Sequence, residues 1–167
     1  MTRRLSRRAL LPVVVALFVG LQAWRSCRHE RGPQELAEGV YPVQRVVDGD
    51  TLLLPGGARI RLMGVDTPET VKPDHAVERW GPEATDFTRR FVDGRGVRLQ
   101  FDRERMDQYN RYLAYVWVGD EMLNEELLRA GLARWEPKYH YSQQMKNRFR
   151  RAQREAQDAH RGLWSDR

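Results

Sequence analysis

The sequence predicts a small α+β domain preceded by a hydrophobic N-terminal segment. Three observations carry this expectation. Short apolar runs, several with period-two alternation, cluster between residues 43 and 118. Apolar stripes at helical spacing fall in 80–91, 123–130 and 145–163. At 167 residues the chain has room for one domain with a modest core and an appendage. Strands plus a few helices in one small domain argue for α+β.

The elements follow in order. Residues 1–27 read as a signal peptide or membrane anchor: Arg3, Arg4, Arg7 and Arg8 precede the 15-residue run Ala9–Ala23, which is apolar apart from Gln22. The basic flank keeps that end in the cytoplasm and puts the following domain across the membrane. Ser6-Arg7-Arg8-Ala9-Leu10-Leu11 loosely resembles a twin-arginine export signal. Leu21 and Trp24 make a poor cleavage site, so an uncleaved anchor and a released, secreted or periplasmic domain both stay open. Cys27 is the only cysteine, so no disulfide forms within the chain, and it reads as a juxtamembrane bystander. Residues 28–40 are polar and read as a linker, leaving 41–165 as the domain.

Val43–Val47 and Thr51–Leu54 are short and apolar, and Pro55-Gly56-Gly57 supplies a tight turn into Ala58–Val65. There Ile60 and Leu62 alternate with Arg59 and Arg61, giving one apolar and one guanidinium face. Val97, Leu99 and Phe101 alternate with Arg98 and Gln100, and Leu113–Val118 completes about five strands. Trp80, Ala84, Phe87 and Phe91 predict a first helix with Pro82 near its start and Gly94 past its end. Leu123, Leu127 and Ala130 give a second, ending at Gly131. Met145, Phe149, Ala152, Ala156, Ala159 and Leu163 give a third, ending near Gly162. These stripes read as core-facing surfaces.

The formal charge of +6 suggests nucleic acid, but its location weakens that inference. Residues 1–31 hold seven arginines and one acid. Removing these from the totals of 29 and 23 leaves 22 of each in residues 32–167. Any phosphate site must therefore be built locally.

Such a site is visible in Val46-Val47-Asp48-Gly49-Asp50-Thr51 and in Arg61-Leu62-Met63-Gly64-Val65-Asp66-Thr67-Pro68-Glu69-Thr70. Asp48, Asp50, Asp66, Glu69 and Arg61 fall within 22 residues. Carboxylates suit a hard divalent cation such as Ca²⁺, and an arginine fork suits phosphate. Together they describe phosphodiester hydrolysis. Taken singly the motifs are bland: Asp-Gly is a common hairpin turn, and Asp-Thr-Pro-Glu is an ordinary helix start. The four histidines lack metal-ligand spacing, and no Ser-His-Asp or Cys-His arrangement or phosphate-cradling glycine loop is present. Arg148, Arg150, Arg151 and Arg154, diluted by Glu155 and Asp158, read as a solvated helix face.

The same blocks, followed by Trp80-Gly81-Pro82-Glu83-Ala84, Asp107-Gln108-Tyr109-Asn110-Arg111-Tyr112, Asn124-Glu125-Glu126-Leu127-Leu128 and Arg161-Gly162-Leu163-Trp164, occur in the order of a known family. Over residues 41–164 the chain resembles the thermonuclease, or staphylococcal nuclease-like, family. The resemblance implies a five-stranded OB-fold β-barrel with three helices. It also implies a Ca²⁺-dependent endonuclease acting on DNA and RNA, favouring single-stranded or unpaired regions, working as a monomer and leaving 3′-phosphate ends. Residue by residue, it implies that Asp50 and Asp66 bind Ca²⁺ through their carboxylates and Thr67 through its carbonyl. Asp48 would lie near the ion through water, and Tyr109 would touch nucleotide phosphate. Arg61 and Arg111 would bind the scissile phosphate, and Glu69 would be the general base. Asn110 replaces the glycine usual before Arg111, and Gln108 replaces a lysine. Asn also tolerates a left-handed turn. For Trp135, Tyr139 and Tyr141, stacking on bases and ordinary packing are both open. The rival of another class is a non-catalytic OB-fold that binds single-stranded nucleic acid or a protein. Asp50 is expected at an exposed site, where its amide replacement spares the fold.

Overall fold

A computed structural model describes residues 36–70 and 78–165. The expected signal or anchor, Cys27, and the linker up to residue 35 lie outside the described residues. Nine strands are described: β1 (Gly39–Tyr41), β2 (Arg45–Asp48), β3 (Thr51–Leu53), β4 (Arg59–Leu62), β5 (Val65–Asp66), β6 (Val97–Gln100), β7 (Tyr112–Val118), β8 (Glu121–Met122) and β9 (Arg134–Trp135). Three α-helices accompany them: α1 (Gly81–Val92), α2 (Leu123–Arg129) and α3 (Gln143–Asp158). A 3₁₀ turn follows at Gly162–Trp164.

The five strand regions read from the alternation form the continuous path β2-β3-β4-β7-β6 of one mixed sheet. Its pairs are antiparallel except β4 with β7, which run parallel with Arg61 opposite Leu113. Three helices on a mixed sheet make the domain α+β and OB-like. Among the described residues, β1 extends the sheet beside β6 and β8 pairs with β7, while β5 and β9 form a separate ribbon. The sequence reading lacked β1, β8 and β9 because each has only two or three residues, too few to show a period. It also ran β4 and β5 together. Gly64, with φ 74, turns the chain between them, and a side chain there would meet Phe149 and the Tyr141 hydroxyl at 2.8 Å.

Ile60, Leu62, Val97, Leu99, Leu113 and Val116 are fully or almost fully buried and meet Phe149 and Ala152 of α3 in one core. Asn124 in α2 ties that helix to the sheet. Its Oδ1 accepts the Val116 N–H at 2.9 Å, and its Nδ2 donates to the Met63 carbonyl at 2.9 Å. A fully buried amide so satisfied fixes the helix against the sheet, and orphaning its partners would cost about 1–3 kcal/mol each.

Two helical stripes need correction. In α1 the buried positions are Gly81, Ala84, Thr85, Thr88 and Val92. Phe87 and Phe91 are half-buried and stack on each other at 6.1 Å. The small residues face inward because α1 lies directly on the β2–β3 turn. A Cβ at Gly49 would stand 2.9 Å from the Ala84 Cβ, and Thr88 Oγ1 donates to the Gly49 carbonyl at 2.6 Å. Large side chains cannot fit so close a crossing. Trp80 is not in the helix but precedes it, with φ 72. In α3 the stripe holds through Phe149, Ala152 and Ala156, but Leu163 belongs to the 3₁₀ turn.

Candidate active site

The β2–β3 hairpin supplies the first two carboxylates. A register shift between Val46 and Asp48 puts Asp48 opposite Thr51. Such a bulge bends a strand and re-aims its side chains. Asp48 is 6% exposed, and its Oδ1 accepts from the Gly49 N–H (2.8 Å), Thr70 Oγ1 (2.6 Å) and Thr85 Oγ1 (3.3 Å). It therefore pins the loop after β5 and the start of α1 to the hairpin.

Asp50 is also 6% exposed, contrary to the exposed position expected for it. Its Oδ2 accepts the Thr67 N–H at 3.0 Å and lies 2.6 Å from Arg61 Nη1, while Thr51 Oγ1 donates to its Oδ1 at 3.0 Å. The burial follows from the loop carrying Thr67, which folds back over the hairpin. Gly49 permits that approach, since a Cβ there would meet Thr67 Oγ1 at 2.8 Å.

Arg61, on β4 beside Thr51 of β3, is the hub of the cluster. Its Nη1 donates to the Val65 carbonyl at 2.8 Å, and its Nη2 to Asp66 Oδ1 at 2.7 Å. The second face of β4 is thus an internal ion cluster at Arg61 and open to solvent only at Arg59. Burial pulls the Arg61 pKa down, but Asp50 and Asp66 outweigh it and raise it, so the guanidinium stays charged. Burial pushes the Asp66 carboxyl above its ordinary range; Arg61 opposes this and Asp50 adds to it. Asp66 is more exposed than Asp50, with 54% of its side chain accessible.

Arg111 arrives from the other direction, on the turn before β7. Asp107 organises that turn by accepting the Tyr109 N–H at 2.8 Å, the Arg111 N–H at 3.0 Å and Arg111 Nε at 2.6 Å. Asn110 adopts φ 57, the left-handed conformation that Asn was expected to tolerate. Burial raises the Asp107 pKa, but the donors from Arg111 and Tyr109 outweigh it and hold the carboxylate below its ordinary range. With Nε engaged, the two Nη groups of Arg111 are the ends left to meet a ligand.

A cleft of about 870 Å³ gathers Asp48, Asp50, Arg61, Asp66, Thr67, Glu69, Tyr109 and Arg111, so every site residue read from the sequence lines one space. Glu69 donates its backbone N–H to Glu78 Oε2 at 3.3 Å. The sequence reading missed Asp107, Arg59, Glu104, Gln108 and Lys138 as cleft residues, whereas Tyr139 was among the aromatics for which base stacking stayed open. For Asp107, its place four residues before Arg111 was an available signal. Lys138 holds Glu136 at 3.1 Å and lies 5.0 Å from the Tyr139 ring centroid. Of the aromatic cluster, only Tyr139 lines the cleft. Tyr141 is 2% exposed, packs on Phe149, and accepts Trp135 Nε1 at 2.7 Å, so those two are packing residues. Arg148 is not merely solvated: it bonds Glu125 and covers Trp117.

The cleft lining carries six carboxylates (Asp48, Asp50, Asp66, Glu69, Glu104, Asp107) against four cations (Arg59, Arg61, Arg111, Lys138). That excess of two negative charges repels an anionic substrate unless a divalent cation offsets it. Two carboxylates converging on Arg61, with the neighbouring Thr67 backbone, form an oxygen-only donor set, and oxygen ligands are what Ca²⁺ takes. The residues present fit that ion. No group of three or more His, Cys, Asp or Glu suited to a metal occurs among the described residues, so a Ca²⁺ here would depend on carbonyl and water oxygens as well.

Fold and cleft together define a small α+β protein built to act on a charged phosphate ester. Residues 59–166 match the model of the family described as staphylococcal nuclease homologue, and the chain belongs to that family. It is 44% identical to a thermonuclease of Staphylococcus hyicus over 168 aligned residues, covering 93% of this chain and 96% of that protein. It is 45% identical to a thermonuclease of Staphylococcus intermedius, over 74% of this chain and 75% of that one. The endonuclease YncB of Bacillus subtilis is 35% identical, over 82% and 66%.

Proposed function

We propose that this chain is a Ca²⁺-dependent endonuclease that hydrolyses phosphodiester bonds of DNA and RNA and leaves 3′-phosphate ends. That it is a nuclease follows from its family and from two thermonuclease relatives, one matched over nearly its full length. The observation that carries the finer reading is the convergence of Asp50 and Asp66 on Arg61, at 2.6 and 2.7 Å, in a cleft with surplus negative charge.

In this reading water attacks phosphorus, the bond to the 5′-oxygen breaks, and the departing oxygen leaves with the electron pair and takes a proton from solvent water to give a 5′-hydroxyl. Glu69 orients the water and takes its proton. Arg111, held by Asp107, and Arg61 neutralise the charge that grows on the phosphoryl oxygens. For Arg61 this requires Nη2 to exchange Asp66 for the phosphate. Ca²⁺ held by the Asp50 and Asp66 carboxylates and the Thr67 carbonyl would act as a Lewis acid on a phosphoryl oxygen and take over the carboxylates' charge. Asp48, whose Oδ1 accepts from three donors, lies near the ion through water in this reading. Tyr109, 68% exposed at the cleft edge, meets the nucleotide.

The path β2-β3-β4-β7-β6 supports reading the sheet as a five-stranded OB-fold barrel. Preference for single-stranded or unpaired substrate and a monomeric state are carried over from the family resemblance. Export with the domain extracytoplasmic, anchored or released, rests on the basic and apolar residues of 1–27. No observation favours the non-catalytic module. The test is the chemistry of the ends: products of a defined oligonucleotide should support polymerase extension only after phosphatase treatment. Direct extension without phosphatase would contradict the proposed bond cleavage.

A further inference from the structure

A second groove, of about 310 Å³, adjoins the cleft, and Asp66 and Thr67 line both. Its other walls include Arg79, Trp80 and Arg134. Nothing in the proposed mechanism uses these residues. Three features mark the groove as built. Arg134 sits opposite Asp66 in the β5–β9 ribbon, and its guanidinium lies 4.9 Å from the Trp164 ring centroid, which sets its direction. Arg79 lies 5.6 Å from the ring centroid of Trp80. Trp80 itself holds φ 72, a conformation rare for a bulky residue and one that persists only where its surroundings impose it. Here the surroundings are the tight junction at Gly81, where a Cβ would meet Thr70 Cγ2 at 2.6 Å.

Within the groove Asp66 and Glu78 equal the two arginines in number; in the proposed function Asp66 is given over to the cation of the adjoining cleft, which leaves the two guanidiniums facing Glu78. We propose that Arg79 and Arg134 form a second track for the phosphate backbone of single-stranded nucleic acid. The strand continues past the scissile phosphate across Asp66 and Thr67 into this groove. The inference rests on the nuclease reading above. The enzyme therefore holds nucleotides on both sides of the cleaved bond, and productive binding of a longer strand exceeds that of a dinucleotide.

The test uses the full chain with Ca²⁺ and two substrates: a dinucleotide with one scissile bond and a single-stranded DNA 12-mer. Arg79→Gln, Arg134→Gln and the double variant are compared with Arg103→Gln, an exposed arginine that lines neither groove. In the double variant, KM for the 12-mer should rise about tenfold, and the loss in kcat/KM should be at least about fivefold larger for the 12-mer than for the dinucleotide. The plot of log(kcat/KM) against log salt should flatten by about 0.7 per arginine removed, the counterion release expected of a single strand. Arg79→Gln alone should show half that change, which covers a folding defect in the Arg134 variant. Wild-type salt slopes in the variants, or equal losses on both substrates, would overturn the second track. Wild-type protein that cleaves neither substrate would overturn the nuclease reading, and the track with it.

Discussion

Arg61 Nη1 lies 2.6 Å from Asp50 Oδ2, and fewer than a tenth of the atoms' surface on either side chain reaches solvent. This buried pair means that a carboxylate proposed to hold the cation is also structural. Asp50→Asn should abolish Ca²⁺-supported cleavage. It should also lower stability, because the Arg61 charge loses its closest partner; truncating one side of a buried pair costs about 3–5 kcal/mol, and an amide that keeps the Thr67 bond falls below that. Activity assays and thermal unfolding of the variant measure both effects. Undiminished turnover with Ca²⁺ would remove Asp50 from the site.

Arg61→Lys and Arg111→Lys keep a positive charge but lose the planar fork. Each should cost roughly 10²-fold or more in kcat, the scale of losing a transition-state donor, with a smaller effect on KM. For Arg111 the lysine also forfeits the Nε bond to Asp107. Near-normal kcat in both variants would end the phosphate-clamp assignment.

Glu69→Gln should retain Ca²⁺ binding yet slow hydrolysis, and the rise of rate with pH on the acidic limb should flatten because the titrating base is gone. The pH–rate profile is the measurement. A profile of wild-type shape would show that another group takes the proton.

Asp102 gives a pH prediction about the fold rather than the chemistry. Burial pushes its pKa up, but donors from the Ser142 N–H (2.9 Å), the Tyr115 hydroxyl (2.7 Å) and the Arg103 N–H (2.8 Å) outweigh this and hold it below the ordinary range. A carboxyl depressed on folding contributes stability that is fully present above its unfolded pKa, about 3.9. That contribution fades as pH falls through the lower folded value. Asp102→Asn should therefore destabilise by about 1–3 kcal/mol at pH 7, and the gap to wild type should narrow below about pH 4. A gap constant from pH 7 to pH 3 would show that the charge plays no part.

Strands with alternating residues were legible in the sequence because one buried face leaves a period of two, as Val97 and Leu99 show. The ordered motifs likewise named the residues that line one cleft. What the sequence hid were relationships across distance. The Thr67 N–H reaches Asp50 from 17 residues away, and that bond is what buries a carboxylate expected in solvent. The inward face of α1 was read only in part: Ala84 is buried and Phe87 and Phe91 pack half-buried against the core, but the buried Thr85 and Thr88 were passed over for the more hydrophobic phenylalanines. The close crossing over Gly49 selects for size instead. Lys138, three residues past β9, entered the cleft with no sequence pattern to mark it.

The dependence of turnover on a divalent cation probes the shared Asp50–Arg61–Asp66 cluster most directly. The full-length chain is incubated with heat-denatured DNA in Ca²⁺ and, separately, in EGTA. Rapid degradation with Ca²⁺ and none in EGTA is the expected result. Equal degradation in both, or intact DNA in both, would contradict a calcium-dependent nuclease.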